Sequence, residues 1–466
     1  MSSKQFDLIV LGSGPGGYVA AIRGAQLGLS VAVVEKDPKY GGTCLHRGCI
    51  PTKALLHTAE LLDEIRRAKT FGISVPAPEL DLPGAHRHKD KIVAKNARGI
   101  EYLLKKNSIT GIHGFGRLTG PHEVTVDADG ESTAYGARHV LLATGSVPRE
   151  LPFAPADGER ILNSDHILQL QEVPESLVVL GAGAVGTEFA SIYRAFGSKV
   201  TLVEMLPRVL PLEDEEISKG LGKILKKKGI DVRADTKLAK VETTESGLAL
   251  TLEGPKKTET LQVAKLLVAV GRAPVSGNIG LDSVGVAVDQ RGYVEVDEYM
   301  RTSVPHIYAI GDVVNTPWLA HVASSEGILA AEHIAGEAAR PLDYNKVPAC
   351  TYCDPEVASV GLTEAQAKEQ GYAVATGKFP LTALGKAAIL GKTEGFVKVV
   401  RDTQYDELLG VHIVGARATD LIAEACVALQ VESTNEELLR TIHAHPTLSE
   451  AVAEAAHAAH GAPIHI

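Results

Sequence analysis

The residues best suited to chemistry stand together in Gly41-Gly42-Thr43-Cys44-Leu45-His46-Arg47-Gly48-Cys49-Ile50-Pro51-Thr52-Lys53. Four residues between Cys44 and Cys49 allow a strained disulfide over a short helical start, and a helix N-terminus lowers the pKa of a thiol. Reactivity is built into that spacing. Two unrelated buried thiols are the plainer reading, but the pair lies just past Glu35, an acid at the end of a strand-like segment. Five cysteines in 466 residues do not make a secreted disulfide framework. A disulfide here is therefore expected to be catalytic or redox-sensing, in a reducing compartment.

The elements that must position such a pair occur twice. The apolar run Phe6 to Leu11 leads into Gly12-Ser13-Gly14-Pro15-Gly16-Gly17, a helical stretch from Tyr18 to about Leu27, and a strand Val31 to Val34 that ends in Glu35. The series returns as Leu177 to Leu180, Gly181-Ala182-Gly183-Ala184-Val185-Gly186, a helix through Phe196, and a strand Val200 to Val203 ending in Glu204. In both copies the acid lies 23 positions after the first glycine (35 − 12 and 204 − 181). Glycines at these positions let backbone approach a pyrophosphate, the helix N-terminus supplies N–H groups, and the acid binds ribose hydroxyls. Gly12, Gly14, Gly17 and Glu35 are thus expected to hold FAD, and Gly181, Gly183, Gly186 and Glu204 to hold NAD. A carboxylate at this point repels a 2′-phosphate, and no arginine cluster follows Glu204 in Met205-Leu206-Pro207-Arg208, which disfavours NADP.

Between the copies, helices are predicted over Thr52 to Lys69 and Lys89 to Lys106, joined by a loop at Pro76 to Pro83, with strands at Val124 to Val126 and Val140 to Ala143. A third glycine-acid signal ends the strand-like Ile307-Tyr308-Ala309-Ile310-Gly311-Asp312. After Pro348 the pattern changes to short alternating strands (Phe396 to Val400, Leu409 to Val414) with helices at Ala418 to Gln430 and Leu448 to Ala459. The expected fold is α/β: two Rossmann-like dinucleotide-binding domains followed by an α+β dimerisation domain. The expected boundaries are 1–150 (FAD and the redox pair), 151–274 (NAD), 275–346 (a central segment completing the FAD site) and 347–466 (interface). The formal charge of 47 − 57 = −10 argues against nucleic acid or an anionic membrane as partner. With no charged leader region and cleavage site and no apolar run of membrane-spanning length, a cytoplasmic protein is expected.

With these segments the chain resembles the pyridine nucleotide-disulfide oxidoreductase family, most closely its dihydrolipoamide-oxidising members. The resemblance runs through the first glycine loop, the C-x4-C motif, Ala143-Thr144-Gly145-Ser146, the second loop with Glu188, Val270-Gly271-Arg272-Ala273-Pro274, Tyr308-Ala309-Ile310-Gly311-Asp312, and the ending His443-Ala444-His445-Pro446-Thr447-Leu448-Ser449-Glu450. It implies that Cys44 is the interchange thiol that meets substrate and that Cys49 is the thiol beside the flavin. It implies that Lys53 lies near flavin N5, paired with Glu188, and that His445 and Glu450 are the acid-base dyad. Thr43, Gly114, Thr144, Gly145, Ser146, Asp312 and Ala320 join the implied FAD contacts; Glu188 and Gly271 join those to NAD. A homodimer is implied, with the histidine reaching the disulfide of the other subunit. Lipoyl-bearing domains of 2-oxoacid dehydrogenase or glycine-cleavage complexes are the implied partners, with no metal, nucleic acid or membrane. One departure is His46-Arg47, where many members have Asn-Val; it adds positive charge near the thiols.

Plainer readings compete at several points. Taken alone, His443-Ala444-His445 would be a loop or helix-cap feature or a metal ligand pair, but no further ligand stands at metal spacing around it. Cys350 and Cys353 form a C-x-x-C, yet on a strand side chains three apart point to opposite faces, which speaks against a second redox centre. Glutathione or trypanothione reductases share the cysteines and base but select NADP and lack His-Ala-His before Pro-Thr. Mercuric reductases carry a C-terminal cysteine pair, whereas this chain ends Gly461-Ala462-Pro463-Ile464-His465-Ile466. A silent FAD-binding sensor would not need Cys44, Cys49, His445 and Glu450 together.

Overall fold

A computed structural model describes residues 4–466; Met1, Ser2 and Ser3, part of the start read above as leaderless, lie outside the described residues. The chain forms two compact units, Met1–Ala54 with His86–Arg149 and Arg272–Leu342, and Leu55–Ala85 with Glu150–Gly271 and Asp343–Ile466.

In the first unit the strands are β1 (Gln5–Leu11), β2 (Val31–Glu35), β3 (Thr110–His113), β4 (Phe115–Gly120), β5 (Glu123–Ala128) and β6 (Glu131–Leu142), joined by Ile307–Ala309. The order is β3-β2-β1-β6, all parallel, with Ile307–Ala309 added in parallel on the far side of β6. The first half of β6 turns antiparallel with β5, and β5 with β4. Continuous apolar runs suit strands covered on both faces. Leu8 and Val10 of β1 with Val31 and Val33 of β2 enter one core, while Ile9 and Leu11 with Ala32 and Val34 enter the other. This double burial fixes where β1 ends, and so where the first glycine loop begins.

Four helices follow: α1 (Pro15–Gln26), α2 (Gly42–Arg47), α3 (Cys49–Arg66) and α4 (Leu82–Lys106). Three of them start earlier than predicted. α1 begins at Pro15 with Gly14 as its cap, α3 at Cys49 rather than Thr52, and α4 at Leu82 rather than Lys89. Pro15, Pro51 and Pro83 all sit in first turns, where the missing N–H would have had no helical acceptor. Prolines that read as lying before a helix therefore open helices here.

The second unit repeats the plan. Asp231–Arg233, Lys199–Val203, Ser176–Leu180, Lys265–Val268 and Ile161–Leu162 lie side by side in that order, all parallel. A three-stranded antiparallel excursion, Lys237–Thr244, Gly247–Glu253 and Thr258–Val263, interrupts it before Lys265, as β4 and β5 do before the end of β6. The internal repeat thus extends beyond the βαβ segment visible in the sequence. The last module is a five-stranded antiparallel sheet, in the order Ala349–Thr351, Glu356–Gly361, Leu408–Gly415, Phe396–Asp402, Val374–Pro380. Helices Ala418–Gln430 and Glu450–Ala459 pack on it; the latter starts two residues later than predicted. Cys350 lies on the first of these strands, but Cys353 falls in the turn beyond it and is buried. Among the described residues no helix is long and apolar enough to cross a membrane.

Candidate active site

Each glycine loop is built the same way. A Cβ on Gly12 would stand 2.3 Å from the Ala143 carbonyl oxygen and one on Gly17 2.0 Å from that of Gly12, while one on Gly14 would meet nothing within 4 Å. In the second copy the values are 2.4 Å for Gly181 against Ala269 and 1.9 Å for Gly186 against Gly181, with Gly183 open. The outer glycines allow tight packing of turn, strand and helix, and the middle one leaves an open mouth lined by backbone at a helix N-terminus. That is the cradle a dinucleotide pyrophosphate needs, so both loops fit the cofactors expected of them.

The acids secure the loops. Glu35 accepts the Ser13 N–H at 3.0 Å and the Asp37 N–H at 2.9 Å; Glu204 accepts the Ala182 N–H at 2.7 Å and the Leu206 N–H at 2.9 Å. Each carboxylate bridges its own strand end to the second loop residue, in addition to any ribose it holds. The Glu204→Gln protein loses one charge-assisted N–H acceptor, worth roughly 1.5–3 kcal/mol. Titration with NAD⁺ is expected to show affinity lowered about tenfold or more, with flavin content unchanged; Glu35→Gln should reverse the pattern.

The redox segment is seated directly on the first loop. A Cβ on Gly42 would lie 2.6 Å from Gly14 Cα, so the two backbones touch where only glycine fits. Ser13 Oγ donates to Glu35 at 2.5 Å and accepts the Gly41 N–H at 3.1 Å. Ala182 stands at this position in the second copy. On one continuous helix, residues five apart point about 140° away from each other. Here α2 ends and Gly48 breaks the path before α3, and Cys44 and Cys49 face each other as thiols joined by a side-chain hydrogen bond. That bond, burial and the charge of a Cys49 thiolate push the Cys44 thiol far above its ordinary range, against a smaller downward pull from Lys53. The helix N-terminus lies at Cys49, the first residue of α3, and Lys53 is about one turn further on. Arg47, whose charge was expected to bear on the thiols, is paired with Asp37 at 2.6 Å, and His46 Nε2 lies 2.9 Å from the Tyr40 carbonyl.

Other first-unit residues form a connected polar group. Ser146 Oγ donates to Asp312 Oδ2 at 2.5 Å and accepts from Arg272 Nε at 2.7 Å; Arg272 also donates to the Ser146 carbonyl. Burial raises the Asp312 carboxyl above the ordinary range despite the lowering by Ser146 and Arg272. Thr144 Oγ1 donates to the Val275 carbonyl at 2.6 Å, so the hydroxyls of Thr144 and Ser146 both make protein contacts. Gly145 beside them has φ +72° and open space at its Cβ position. The Gly114 N–H donates to the Glu35 carbonyl. Thr43 lies on α2, Ala320 opens the helix Ala320–Ala335, and Gly271 has φ +108° with open space. Sequence reasoning gave no role to Arg272 and missed Glu326, fully buried, which accepts the Gly311 N–H at 2.6 Å. Its signal was a lone acid on the apolar face Val322, Ala323, Leu329, Ala330.

In the second unit His445 Nδ1 lies 2.8 Å from Glu450 Oε1, and the Thr447 N–H donates to Glu450 Oε2 at 2.8 Å. Partial burial would raise the Glu450 carboxyl, but the bonds from His445 and Thr447 outweigh it and hold it below the ordinary range. The His445 side chain is 79% exposed. With Nδ1 committed to Glu450, Nε2 is the nitrogen left to take a proton from an arriving group. Glu188, on the helix Ala184–Phe196, accepts the Tyr352 N–H at 2.9 Å, while Lys53 belongs to the first unit. Cys353 is fully buried, donates to the Pro355 carbonyl at 3.1 Å, and has its thiol raised well above the ordinary range by desolvation and by the carboxylates of Glu188, Asp354 and Glu356. Those are the marks of a structural cysteine.

Residues 6–327 match the pyridine nucleotide-disulphide oxidoreductase family and residues 347–456 match its dimerisation domain. The chain is similar to the dihydrolipoyl dehydrogenase of Bacillus subtilis, 45% identical across 99% of this chain and 100% of that protein. It is 47% identical to that of Thermus scotoductus, across 99% of both. Among solved structures, LpdA of Mycobacterium tuberculosis superposes with a TM-score of 0.90 at 31% identity, covering 97% of this chain and 99% of that one.

Proposed function

Because the chain belongs to the pyridine nucleotide-disulphide oxidoreductase family, we propose that it oxidises protein-bound dihydrolipoyl groups to lipoyl groups and reduces NAD⁺, as a dihydrolipoyl dehydrogenase. The observation that carries this reading is the facing pair of thiols, Cys44 and Cys49, seated on the glycine loop of the first unit. Bound FAD and NAD⁺ supply the two-electron relay that returns this dithiol to its disulfide. Residues 1–150 and 275–346 serve FAD, 151–274 serve NAD, and 347–466 pair the chain with a second copy.

The residues divide the sulfur chemistry. His445 Nε2 takes the proton of a dihydrolipoyl thiol, since a thiol with a pKa near 8 to 9 is mostly protonated at neutral pH. The thiolate attacks Cys44 Sγ, the Cys44–Cys49 bond breaks, and Cys49 leaves as a thiolate at the N-terminus of α3, where the helix dipole favours its charge. The second lipoyl sulfur, deprotonated in turn, displaces Cys44, closing the lipoyl disulfide and leaving two electrons on the cysteine pair. Glu450 fixes the His445 ring and balances its positive form. In the homodimer, His445 of one copy serves the disulfide of the other. Lipoyl-bearing domains of a 2-oxoacid dehydrogenase or glycine-cleavage complex deliver the substrate, in the cytoplasm.

The yellow holoprotein, given dihydrolipoamide and NAD⁺, is expected to form NADH, and to act poorly on glutathione disulfide with NADPH. Preference for the second pair would replace this reading with a glutathione-reductase-like one.

A further inference from the structure

Two residues before His445 stands a second histidine–carboxylate pair. His443 Nε2 lies 2.5 Å from Glu424 Oε1, on the helix Ala418–Gln430, and Nδ1 lies 2.8 Å from the Thr441 carbonyl oxygen. The His443 side chain is 8% exposed. A backbone carbonyl only accepts, so Nδ1 carries a hydrogen. A carboxylate also only accepts, and a neutral imidazole has a single N–H to offer. Two acceptors on one mostly buried ring call for two ring protons.

We infer that His443 and Glu424 form a charged positioning pair, an imidazolium clamped between a carboxylate and the Thr441 carbonyl, which anchors the loop carrying His445 and sets a fixed positive charge beside Glu450. Glu424 comes from the helix Ala418–Gln430, Glu450 from the helix Glu450–Ala459, and His445 from the same loop as His443. His443 is among the groups that hold Glu450 in its ionised form. The loop is closed further by Thr447, whose hydroxyl donates to the Ala444 carbonyl at 2.7 Å and whose N–H reaches Glu450. Glu424 and His443 touch neither substrate nor the reacting sulfurs in this scheme; they act through the dyad. The catalytic part of the inference rests on the dithiol oxidation proposed above, but the protonation of His443 does not.

Nitrogen NMR of the ¹⁵N-histidine-labelled holoenzyme should show both His443 nitrogens protonated at neutral pH, and only one in Glu424→Gln. A glutamine keeps a hydrogen-bonding group in place but removes the charge that holds the second proton. His443→Gln removes the positive neighbour and leaves Glu424 charged, which makes the dyad easier to protonate, whereas Glu424→Gln removes the carboxylate together with the second His443 proton and leaves the local net charge unchanged. The acid limb of kcat/KM for dihydrolipoamide should therefore move to higher pH by about half a unit in His443→Gln, with kcat lowered about tenfold in both variants through looser placement of His445. In Glu424→Gln the limb should stay closer to its wild-type position. NADH oxidation by a small dye acceptor, which bypasses the dyad, should be unchanged in both. A single protonated nitrogen on wild-type His443, or a wild-type pH profile in His443→Gln, would overturn the inference. Failure of the wild-type protein to oxidise dihydrolipoamide would instead overturn the proposed function and leave the NMR result to decide the protonation.

Discussion

The Cys49→Ser protein is expected to lose at least about four orders of magnitude in dihydrolipoamide oxidation, because a group that forms the covalent bond has no substitute in the site. It should still fold and retain FAD. The backbone contact between Gly14 and Gly42 and the loop bonds of Ser13 and Glu35 do not involve the Cys49 sulfur, and serine has a similar shape at the first position of α3. Flavin content and thermal unfolding check the fold, and the steady-state rate with NAD⁺ checks the chemistry. The Cys44 thiol is pushed up chiefly by its hydrogen bond to Cys49, then by burial and the Cys49 charge. Removing Cys49 should therefore make Cys44 easier to ionise and faster to alkylate with iodoacetamide above neutral pH. Turnover at the wild-type rate in Cys49→Ser would end the disulfide mechanism.

The second large effect is at His445. His445→Gln retains a polar side chain but has no basic nitrogen, and dithiol oxidation is expected to fall by about two to four orders of magnitude, the range of a general base. Dye reduction by NADH should stay near wild type, since it needs neither substrate thiol nor base. Mixing the two inactive proteins under conditions that exchange subunits tests whether the base acts across the dimer. A mixed dimer would pair the intact cysteines of the His445→Gln chain with the intact histidine of the Cys49→Ser chain, giving one working site of two. Random exchange should restore about a quarter of wild-type activity, because about half the dimers are mixed. No recovery despite demonstrated exchange would place base and disulfide within one chain.

Much of the site is legible in the linear order because its parts are local. Glycine spacing, the apolar strand before it, the helix after it and the acid 23 positions on are consequences of one turn and one βαβ unit. The C-x4-C pair likewise needs only a broken helix to bring its sulfurs together. Where the reading slipped, local rules competed: Pro83 reads as the end of a loop and Pro51 as the residue before a helix, but in a first turn proline lacks only an N–H that the helix does not use. The three-stranded excursion of the second unit stayed hidden because half-exposed strands such as Lys237–Thr244 carry little apolar alternation.

What the sequence determined unaided was the kind of chemistry and the segments proposed to carry it, since each motif is held by neighbours within a few turns or strands. Only the tertiary structure decided how those residues are supported. Asp312 meets Ser146 across 166 positions, Tyr352 meets Glu188 across 164, and His443 meets Glu424 across 19. Such partners are chosen by which strands and helices the core brings side by side, and a buried polar group must find its hydrogen bond wherever that packing leaves one.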